Sequence, residues 1–396
     1  MATTFDPTAP LPAPPDPWAS STMPSPRDGP PYHMTDMIAA EPHLARRLLA
    51  RLRGDGAAAA LADSIAAAVA AHEPIVVTGC GTSEHAAQGV ALILRDALRT
   101  AGKDPGSTGI LAPQAFEAAL DPQRGGLLIA VSHEGGSAAT NAAAAAARSN
   151  GARTALITAG PGSPGGAAAD TVITTGEMDQ SWCHTIGYVA PLVTAIALAE
   201  LIIGGSTDDD AVARVMAGGA ADEAAAEAIA DAFGGTRHLI VIGSGADRPA
   251  ARELVLKVEE AAWVPSAMRD LETFLHGHLP ATGEETAVVV LLTDRDHRAE
   301  RLARTRQALA ASTIVGSRVA AILGGDAAAS LPDSLTPSGR IVVPEAPSLA
   351  APVASLLGSA TALQLLTERI ARARGTNPDP IRRDEPRYRE ASAATE

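Results

Sequence analysis

Residues 76–87, VVTGCGTSEHAA, place a β-branched run, a Gly-x-Gly turn and the start of a helix in direct succession. A similar pattern, LIVIGSGADRPAA, returns at residues 239–251. Around each turn, short Val, Ile and Leu runs alternate with segments of helical periodicity, which is typical of parallel strands joined by crossover helices. The repetition predicts an internal duplication. We therefore predict an α/β protein of two similar domains, each a parallel sheet with helices on both faces.

The composition of the chain and its hydrophobic pattern indicate the boundaries of a leader, two domains and a tail. Residues 1–33 are rich in proline and have no hydrophobic period, so we expect a disordered leader. The helical pattern that follows starts near Thr35, a candidate N-cap. We place the first domain at 34–206, the second at 207–374 and a C-terminal tail at 375–396. The predicted strands lie at 75–79, 127–132, 153–158 and 170–175, and then at 238–245, 287–292, 317–323 and 340–344.

The charge balance limits the partners of the protein. The formal net charge is -14, whereas nucleic acids and anionic membranes require clustered Lys and Arg, so we expect neither as a partner. The two cysteines lie far apart and no signal segment is apparent, which favours a cytoplasmic location. The longest apolar run, 188–203, contains Pro191 and Glu200, so no membrane span is expected. Small molecules and further copies of the chain are the expected partners.

Two turns are candidates for holding a ligand. The first follows the strand at 75–79, and the second lies in LIAVSHEGGSAAT at 128–140. Glycines let backbone N–H groups approach an anion at a helix start, hydroxyls add donors, and two such turns on neighbouring parallel strands can converge on one ligand. A dinucleotide site would need a third glycine where the chain has Glu84 and Arg248, so no nicotinamide cofactor is expected. The candidate binding residues are Gly81, Thr82, Ser83, Ser132, His133, Glu134, Gly135 and Ser137.

The helical pattern after the second turn carries the strongest chemical signal. Glu253, Lys257 and Glu260 share one helix face, although a solvated charged face would have the same spacing. Lysine usage favours a functional group, because only Lys103 and Lys257 are lysines among 31 basic residues. An ammonium differs from a guanidinium in shifting its pKa readily when buried.

A histidine pair follows this helix in LHGH. His276 lies just before Pro280, in a predicted loop where imidazole can act as an acid or a base near neutral pH. His276 and His278 could instead bind a metal, but the sequence offers no matching Cys and His set, so no metal is expected.

These residues resemble the family of proteins with tandem SIS (sugar isomerase) domains. The resemblance is greatest to the isomerase half of glucosamine-6-phosphate synthase and to the related deaminases and deglycases, and it runs from about residue 34 to about residue 380. The family's Cys-Gly-Thr-Ser turn is matched at 80–83, and its Ser-x-Ser-Gly-x-Thr turn is matched in part at 132–137. Its Glu-x-x-x-Lys-x-x-Glu helix and its His-Gly pair are matched by Glu253, Lys257, Glu260, His276 and Gly277.

The resemblance implies proton transfer on a reducing sugar, as aldose–ketose isomerisation or as deamination or deglycation of an aminated sugar. It implies that His276 opens the sugar ring and that Glu260 moves a proton between C1 and C2 through an open-chain enediol or enolamine. Lys257 would orient Glu260 and offset developing charge. In the family the histidine often enters the neighbouring subunit's site, so the resemblance implies a homodimer. It does not imply a cofactor.

Three departures from the family pattern point to an unusual substrate. The chain has no glutaminase domain, so it is not expected to take nitrogen from glutamine. Its tail has no lysine, so the synthase's imine-forming lysine has no counterpart. The loop GEMDQSWCHTIGY at 176–188 matches the family's substrate loop through Glu177 alone. We still expect Glu177 and Glu253 to contribute to substrate binding.

Glu134 occupies a position where relatives place a phosphate-binding serine. A pair of like unit charges about 4 Å apart costs about 4 kcal/mol at an effective dielectric of about 20. One interpretation is that the substrate is not a simple sugar phosphate and that Glu134 binds sugar hydroxyls or an ammonium group. The other is that Glu134 turns away, for example to an arginine, and that the hydroxyls still hold phosphate.

Two other functions compete with an enzyme. A non-catalytic, sugar-binding regulatory SIS protein needs only the two turns, so retention of Lys257, Glu260 and His276 favours catalysis. A nucleotide-binding α/β protein has only the Gly-x-Gly pattern in its favour.

Overall fold

Two five-stranded parallel sheets organise the chain. The computed structural model describes residues 5–103 and 109–394, so residues 1–4 of the predicted leader and 395–396 of the predicted tail lie outside the described residues. When the strands are counted within each domain, both sheets have the order 2-1-3-4-5. The predicted fold class is confirmed, and the shared strand order supports the internal duplication.

The first sheet and its helices cover the part of the chain up to residue 203. Its strands are β1 (Ile75–Thr78), β2 (Ile110–Leu111), β3 (Leu127–Val131), β4 (Arg153–Thr158) and β5 (Thr171–Thr174). Its helices are α1 (His33–Leu52), α2 (Gly56–Ala70), α3 (Thr82–Thr100), α4 (Ala115–Leu120), α5 (Ala138–Ser149), α6 (Pro164–Ala168) and α7 (Ile186–Ile203).

The second sheet repeats this arrangement. Its strands are β6 (His238–Ile242), β7 (Ser266–Arg269), β8 (Thr286–Leu292), β9 (Arg318–Gly324) and β10 (Gly339–Val343). The α-helices are α8 (Asp209–Gly219), α9 (Glu223–Phe233), α10 (Asp247–Ala262), α11 (Leu271–Thr273), α12 (Arg298–Ile314), α13 (Gly325–Ser330), α14 (Ala351–Ala373) and α15 (Pro386–Ala393). Short π and 3-10 turns lie at Phe274–His278, Leu279–Ala281 and Asp333–Leu335.

The eight strands predicted from hydrophobic runs are confirmed, and two further strands were missed. Both missed strands, β2 and β7, are the second strand of their domain and form an edge of their sheet. β2 has only two residues, and every residue of β7 is half-buried. Neither segment therefore carries the run of buried Val, Ile and Leu that marks a strand in a parallel sheet.

The main core joins the two domains. α3 packs on α7, α10 packs on α14, and α10 also contacts α3 across the domain boundary. The largest cluster of buried apolar side chains accordingly draws on both domains. Among the described residues one helix, α7, is long and apolar enough to cross a membrane, and 83% of it is buried inside the protein. Its apolar character is therefore accounted for by core packing.

The expectation of a disordered leader is wrong for residues 5–32. This segment has no helix or strand, yet Leu11 is buried and its N–H donates to a carboxylate oxygen of Glu177 at 2.8 Å. The Trp18 indole N–H donates to the Glu134 carbonyl at 2.9 Å. Proline prevents regular structure here, but it does not prevent single side chains and N–H groups from finding partners on the first domain.

The N-cap of α1 also differs from the prediction. α1 begins at His33, so Thr35 lies inside the first turn, where its hydroxyl accepts from the Tyr32 N–H at 3.1 Å. The tail supplies the cap instead, since the Asp379 carboxylate accepts from the N–H groups of His33 and Met34, each at 2.9 Å. A carboxylate at a helix N-terminus satisfies donors that have no partner within the helix.

Candidate active site

The first turn connects β1 to α3 at the point where the strand order reverses. In open parallel sheets, ligands bind at the carboxyl ends of the strands at this position. Gly81 has φ +57, a conformation that favours glycine. An added Cβ on Gly79 would lie 2.6 Å from the Ser83 backbone, so this glycine permits the tight turn that presents Thr82 and Ser83.

The second turn connects β3 to α5 beside the first. Gly135 has φ +77, and a Cβ there would lie 1.9 Å from the Ser163 hydroxyl. The Ser132 hydroxyl accepts from the Gly135 N–H at 3.2 Å, which closes the turn. Thr140, one helical turn into α5, donates to the Cys80 sulfur at 3.7 Å and so links the two turns.

The turns share one cavity with residues of the second domain and of the tail. Its volume is about 280 Å³, and cavities that bind small molecules usually have volumes of a few hundred Å³. Both predicted turns contribute to its wall, and so does Glu260 from α10. The cavity is lined by Cys80, Gly81, Thr82, Ser83, Ser132, His133, Glu134, Ser137, Thr140, Trp182, His184, Glu260, Ile381 and Arg383.

Glu260 is the carboxylate that α10 contributes to this cavity. Its side chain is 22% exposed, whereas Lys257 behind it is fully buried and donates to Glu260 Oε2 at 2.5 Å. Burial raises the pKa of Glu260 above its ordinary value, and Lys257 opposes the rise. Burial alone would lower the pKa of Lys257, but the surrounding negative groups, Glu260 foremost, hold it above its ordinary value. The pair therefore consists of a permanent ammonium and a carboxylate more basic than usual.

Glu253 lies behind the cavity and ties the two domains together. Its carboxylate is fully buried, 3.7 Å from Lys257 Nζ, and it accepts from the Thr82 hydroxyl at 3.2 Å. It also contacts His85 Nδ1 on α3 at 2.7 Å. Glu253 thus holds the first turn in position rather than lining the cavity. His85 was not singled out from the sequence, where it reads as an ordinary residue of α3.

Two histidines form a neighbouring wall of the cavity. The rings of His133 and His184 are 5.0 Å apart, and His133 Nε2 accepts from the Asp179 N–H at 3.1 Å. Burial lowers the pKa of His184 well below its ordinary value, so this ring is neutral at pH 7. Asp179 in turn accepts from the Gly187 N–H at 2.7 Å and fixes the start of α7. The loop before α7 is therefore held firmly against the second turn.

Glu134 lines the cavity but is engaged by the leader. Its Oε2 accepts from the Ser21 N–H at 3.1 Å. An arginine is one example of a partner that could turn Glu134 aside, and the partner in the structure is instead a backbone N–H of the leader. Trp18 lies against Gly136 and Gly160, where an added Cβ would meet its ring at 2.8 and 3.2 Å. The carboxylate at this position therefore anchors residues 18–21.

Among the predicted site residues, Glu177 and His276 do not line the cavity of their own chain, and neither do Gly135, Glu253 and Lys257. The Glu177 carboxylate forms a two-point ion pair with Arg47 of α1 at 2.8 and 2.9 Å, so the prediction that it binds substrate is not supported by its position. His276 is 69% exposed and pairs with the exposed Glu272 at 3.0 Å. It lies in the π turn that follows α11. Among the described residues no group of three or more His, Cys, Asp or Glu is arranged to hold a metal ion.

Comparison with known proteins assigns the first domain. Residues 69–201 match the family profile described as SIS domain. This chain contains a SIS domain. The matched residues include both turns, so the SIS domain supplies most of the cavity wall. No curated protein matches the chain in sequence.

Solved structures with the same fold extend the comparison to both SIS domains. The C-terminal domain of glucosamine-fructose-6-phosphate aminotransferase from Francisella tularensis has a TM-score of 0.72 at 18% identity and covers 90% of this chain and 100% of its own. Tagatose-6-phosphate ketose/aldose isomerase from Escherichia coli has a TM-score of 0.69 at 18% identity, over 91% and 98%. Glucosamine-6-phosphate deaminase from Thermotoga maritima has a TM-score of 0.57 at 16% identity, over 85% and 96%. These similarities show that the chain has the fold of two tandem SIS domains.

Proposed function

We propose that this protein is an enzyme that moves a proton between C1 and C2 of an open-chain sugar or amino sugar. The observation that carries the proposal is the position of Glu260. This basic carboxylate faces the hydroxyls of both turns across one cavity, and the buried Lys257 holds it from behind. A ligand-binding protein would not require a buried ammonium to orient a carboxylate in its cavity.

Glu260 is suited to the general-base step. A base with a raised pKa takes a proton from carbon more readily than an ordinary carboxylate does, provided it is ionised. In the proposed reaction Glu260 removes the proton from C2 of the aldose form and returns it to C1, through an enediol. On an aminated sugar the same transfer gives an enolamine, and water then hydrolyses the tautomeric imine to release the amine. Lys257 offsets the negative charge that develops on the sugar oxygen.

Ring opening requires a second acid–base group, and we assign it to His276 of a second copy of the chain. His276 is exposed and lies outside the cavity of its own chain, so it can act only in a neighbouring one. This assignment makes the active form a homodimer. The proposed reaction uses neither a cofactor nor glutamine, because each step is a proton transfer or a hydrolysis.

A turnover screen tests the proposal. Glucose, fructose, glucosamine and fructosyl amino acids, each with and without a 6-phosphate, are incubated with the protein and followed by NMR. We expect turnover of at least one substrate, and we expect Glu260→Gln to abolish it. The neighbouring Glu259→Gln is the matched control, because Glu259 is exposed and, within the described part of the chain, accepts a hydrogen bond from the Ser266 N–H alone. Equal activity of Glu260→Gln and the wild type would contradict the proposal.

Subunit complementation tests the role of His276. Glu260→Gln and His276→Ala are each expected to be inactive alone. Mixed subunits should regain activity, since one of the two sites then has both residues. No recovery after verified exchange of subunits would exclude action in the neighbouring site.

A sugar-binding regulatory protein is the alternative, and the exposure of His276 in the single chain is the observation in its favour. In that case the sugars bind to both the wild type and Glu260→Gln, and no turnover is seen with any of them. The screen therefore separates the two functions.

A further inference from the structure

The tail contributes a cation to the cavity that the proposed chemistry leaves unused. Arg383 is the only lysine or arginine among the described lining residues. Its guanidinium carbon lies 5.1 Å from the ring centroid of Trp182, another lining residue. When an arginine stacks on an aromatic ring, the N–H groups along the edge of its planar guanidinium stay available to bind an oxyanion.

Arg383 has no carboxylate partner within residues 5–103 and 109–394. Its neighbour Arg382 is fully engaged, since it pairs with Glu385 at 3.0 Å and stacks on Trp263 and Tyr388. The Arg383 backbone carbonyl accepts from Arg389 at 3.2 Å, and among the described residues the guanidinium itself has no hydrogen-bond partner, only its stacking contact with Trp182. A half-buried guanidinium beside a cavity without an internal partner is suited to a ligand.

The tail is held so that it presents this residue. The Asp379 carbonyl accepts from the Trp182 N–H at 2.9 Å, while the Asp379 carboxylate caps α1. Between this anchor and Arg383, Ile381 and Arg382 have φ of +42 and +66. A β-branched residue at positive φ is a true outlier and persists only when its surroundings impose it. The strained turn therefore lies directly before the residue that reaches the cavity.

We propose that Arg383 binds an oxyanion of the substrate, a phosphate or a carboxylate, and selects anionic sugars. The assignment rests on the proposed function, because it names the substrate class of the same cavity. The cavity wall also carries Glu134 and Glu260, so an anionic ligand needs a positive group to offset them. Arg383 supplies that charge, and its two-pronged geometry suits both oxyanions.

Calorimetric binding to the full chain tests the assignment with three probes: fructose, fructose 6-phosphate and a fructosyl amino acid. Arg383→Gln is expected to weaken at least one anionic probe by about ten- to hundred-fold, the range for a lost hydrogen bond to a charged group, and to leave fructose unchanged. If only the affinity for fructose 6-phosphate falls, the group that Arg383 binds is the phosphate. If only the affinity for the fructosyl amino acid falls, that group is the carboxylate. Arg387→Gln is the matched control, because Arg387 is exposed on the same tail. Arg383→Lys is expected to bind the affected probe with intermediate affinity.

The assignment is overturned if Arg383→Gln binds both anionic probes as the wild type does, or if it loses all three probes equally, as a structural defect would. Wild-type affinity for the anionic probes should also fall with added salt while that for fructose does not, a test that needs no variant. A wild type that binds the probes without turnover refutes only the proposed enzyme. A wild type that binds none of them refutes the sugar site and Arg383 together.

Discussion

In the first domain Gly81, Thr82 and Ser83 of the turn at 79–83 line the cavity, whereas in the second domain the turn at 243–247 is hydrogen-bonded through the chain's own carboxylates. Ala246 N–H donates to Asp294 Oδ2 at 2.8 Å. The Thr293 and Asp294 N–H groups donate to Asp247 Oδ2 at 2.9 and 3.1 Å. Arg301 closes the arrangement by pairing with Asp294 at 2.5 Å.

The two turns have the same position in the same fold, since each follows the first strand of a sheet ordered 2-1-3-4-5. A backbone N–H at a helix start can bind a ligand when no internal group occupies it, whereas the Ala246 N–H of the second turn already donates to Asp294. The hydrogen-bonded second turn fixes the start of α10, and Glu260 near the end of this helix lines the first domain's cavity. Under the proposed function the duplicated halves have separate tasks, one binding the ligand and the other supplying the base.

The largest expected effect comes from removing that base. Glu260→Gln should reduce incorporation of solvent deuterium at C1 or C2 of a turned-over sugar by about 10²- to 10⁴-fold, the usual contribution of a general base. Sugar binding should persist, because the amide keeps the shape of the side chain. Deuterium incorporation at the wild-type rate would show that α10 does not serve the first domain's cavity.

The closed turn should matter for stability and not for binding. Asp294→Ala leaves the half-buried Arg301 and the Ala246 N–H without their partner, so we expect a loss of about 3–5 kcal/mol in the free energy of unfolding. Asp333 is 98% exposed and pairs with Arg340, so Asp333→Ala should change the free energy of unfolding by less than about 1 kcal/mol. Urea denaturation measures both. A change in sugar affinity at unchanged stability would mean that the second turn also binds ligand.

The open turns should behave in the opposite way. Ser137 caps α5 without a side-chain hydrogen bond, so Ser137→Ala should leave the melting temperature nearly unchanged. Combined with Ser83→Ala, it should weaken sugar binding by about ten-fold, since under the proposed function each hydroxyl donates to the ligand. Ser244→Ala in the second turn is the control, and its sugar affinity should equal that of the wild type. Equal losses in both turns would remove the distinction between them.

The smallest expected effect is a shift in pH dependence. A general base is active when ionised, so kcat/KM should fall as the pH drops through the raised pKa of Glu260, at a higher pH than for an ordinary carboxyl. The Cys183 thiol lowers this pKa by hydrogen bonding to Glu260, so Cys183→Ala should move the acid limb to still higher pH. An acid limb that moves to lower pH would contradict the assignment of Glu260 as the titrating base.

Local patterns in the sequence predicted the site residues that lie on helices or in the turns directly after strands. The eight long strands, both first-domain turns and the face of α10 follow from hydrophobic runs, glycine positions and helical spacing. The sequence did not predict that Trp182 and Arg383 meet, because the Trp182 N–H bonds to Asp379 far along the chain. The hydrogen bond from the Ser21 N–H of the leader to Glu134 likewise joins two irregular segments. Such segments have no period from which their partners can be predicted.

The most direct test of the divided roles is a crystal structure with glucitol 6-phosphate, an open-chain hexitol that cannot be turned over. The account predicts the hexitol between the hydroxyls of Ser83 and Ser137 and the carboxylate of Glu260, with the second domain's turn still closed by Asp294. Electron density for the hexitol at 243–247, or a bound hexitol out of reach of Glu260, would contradict it.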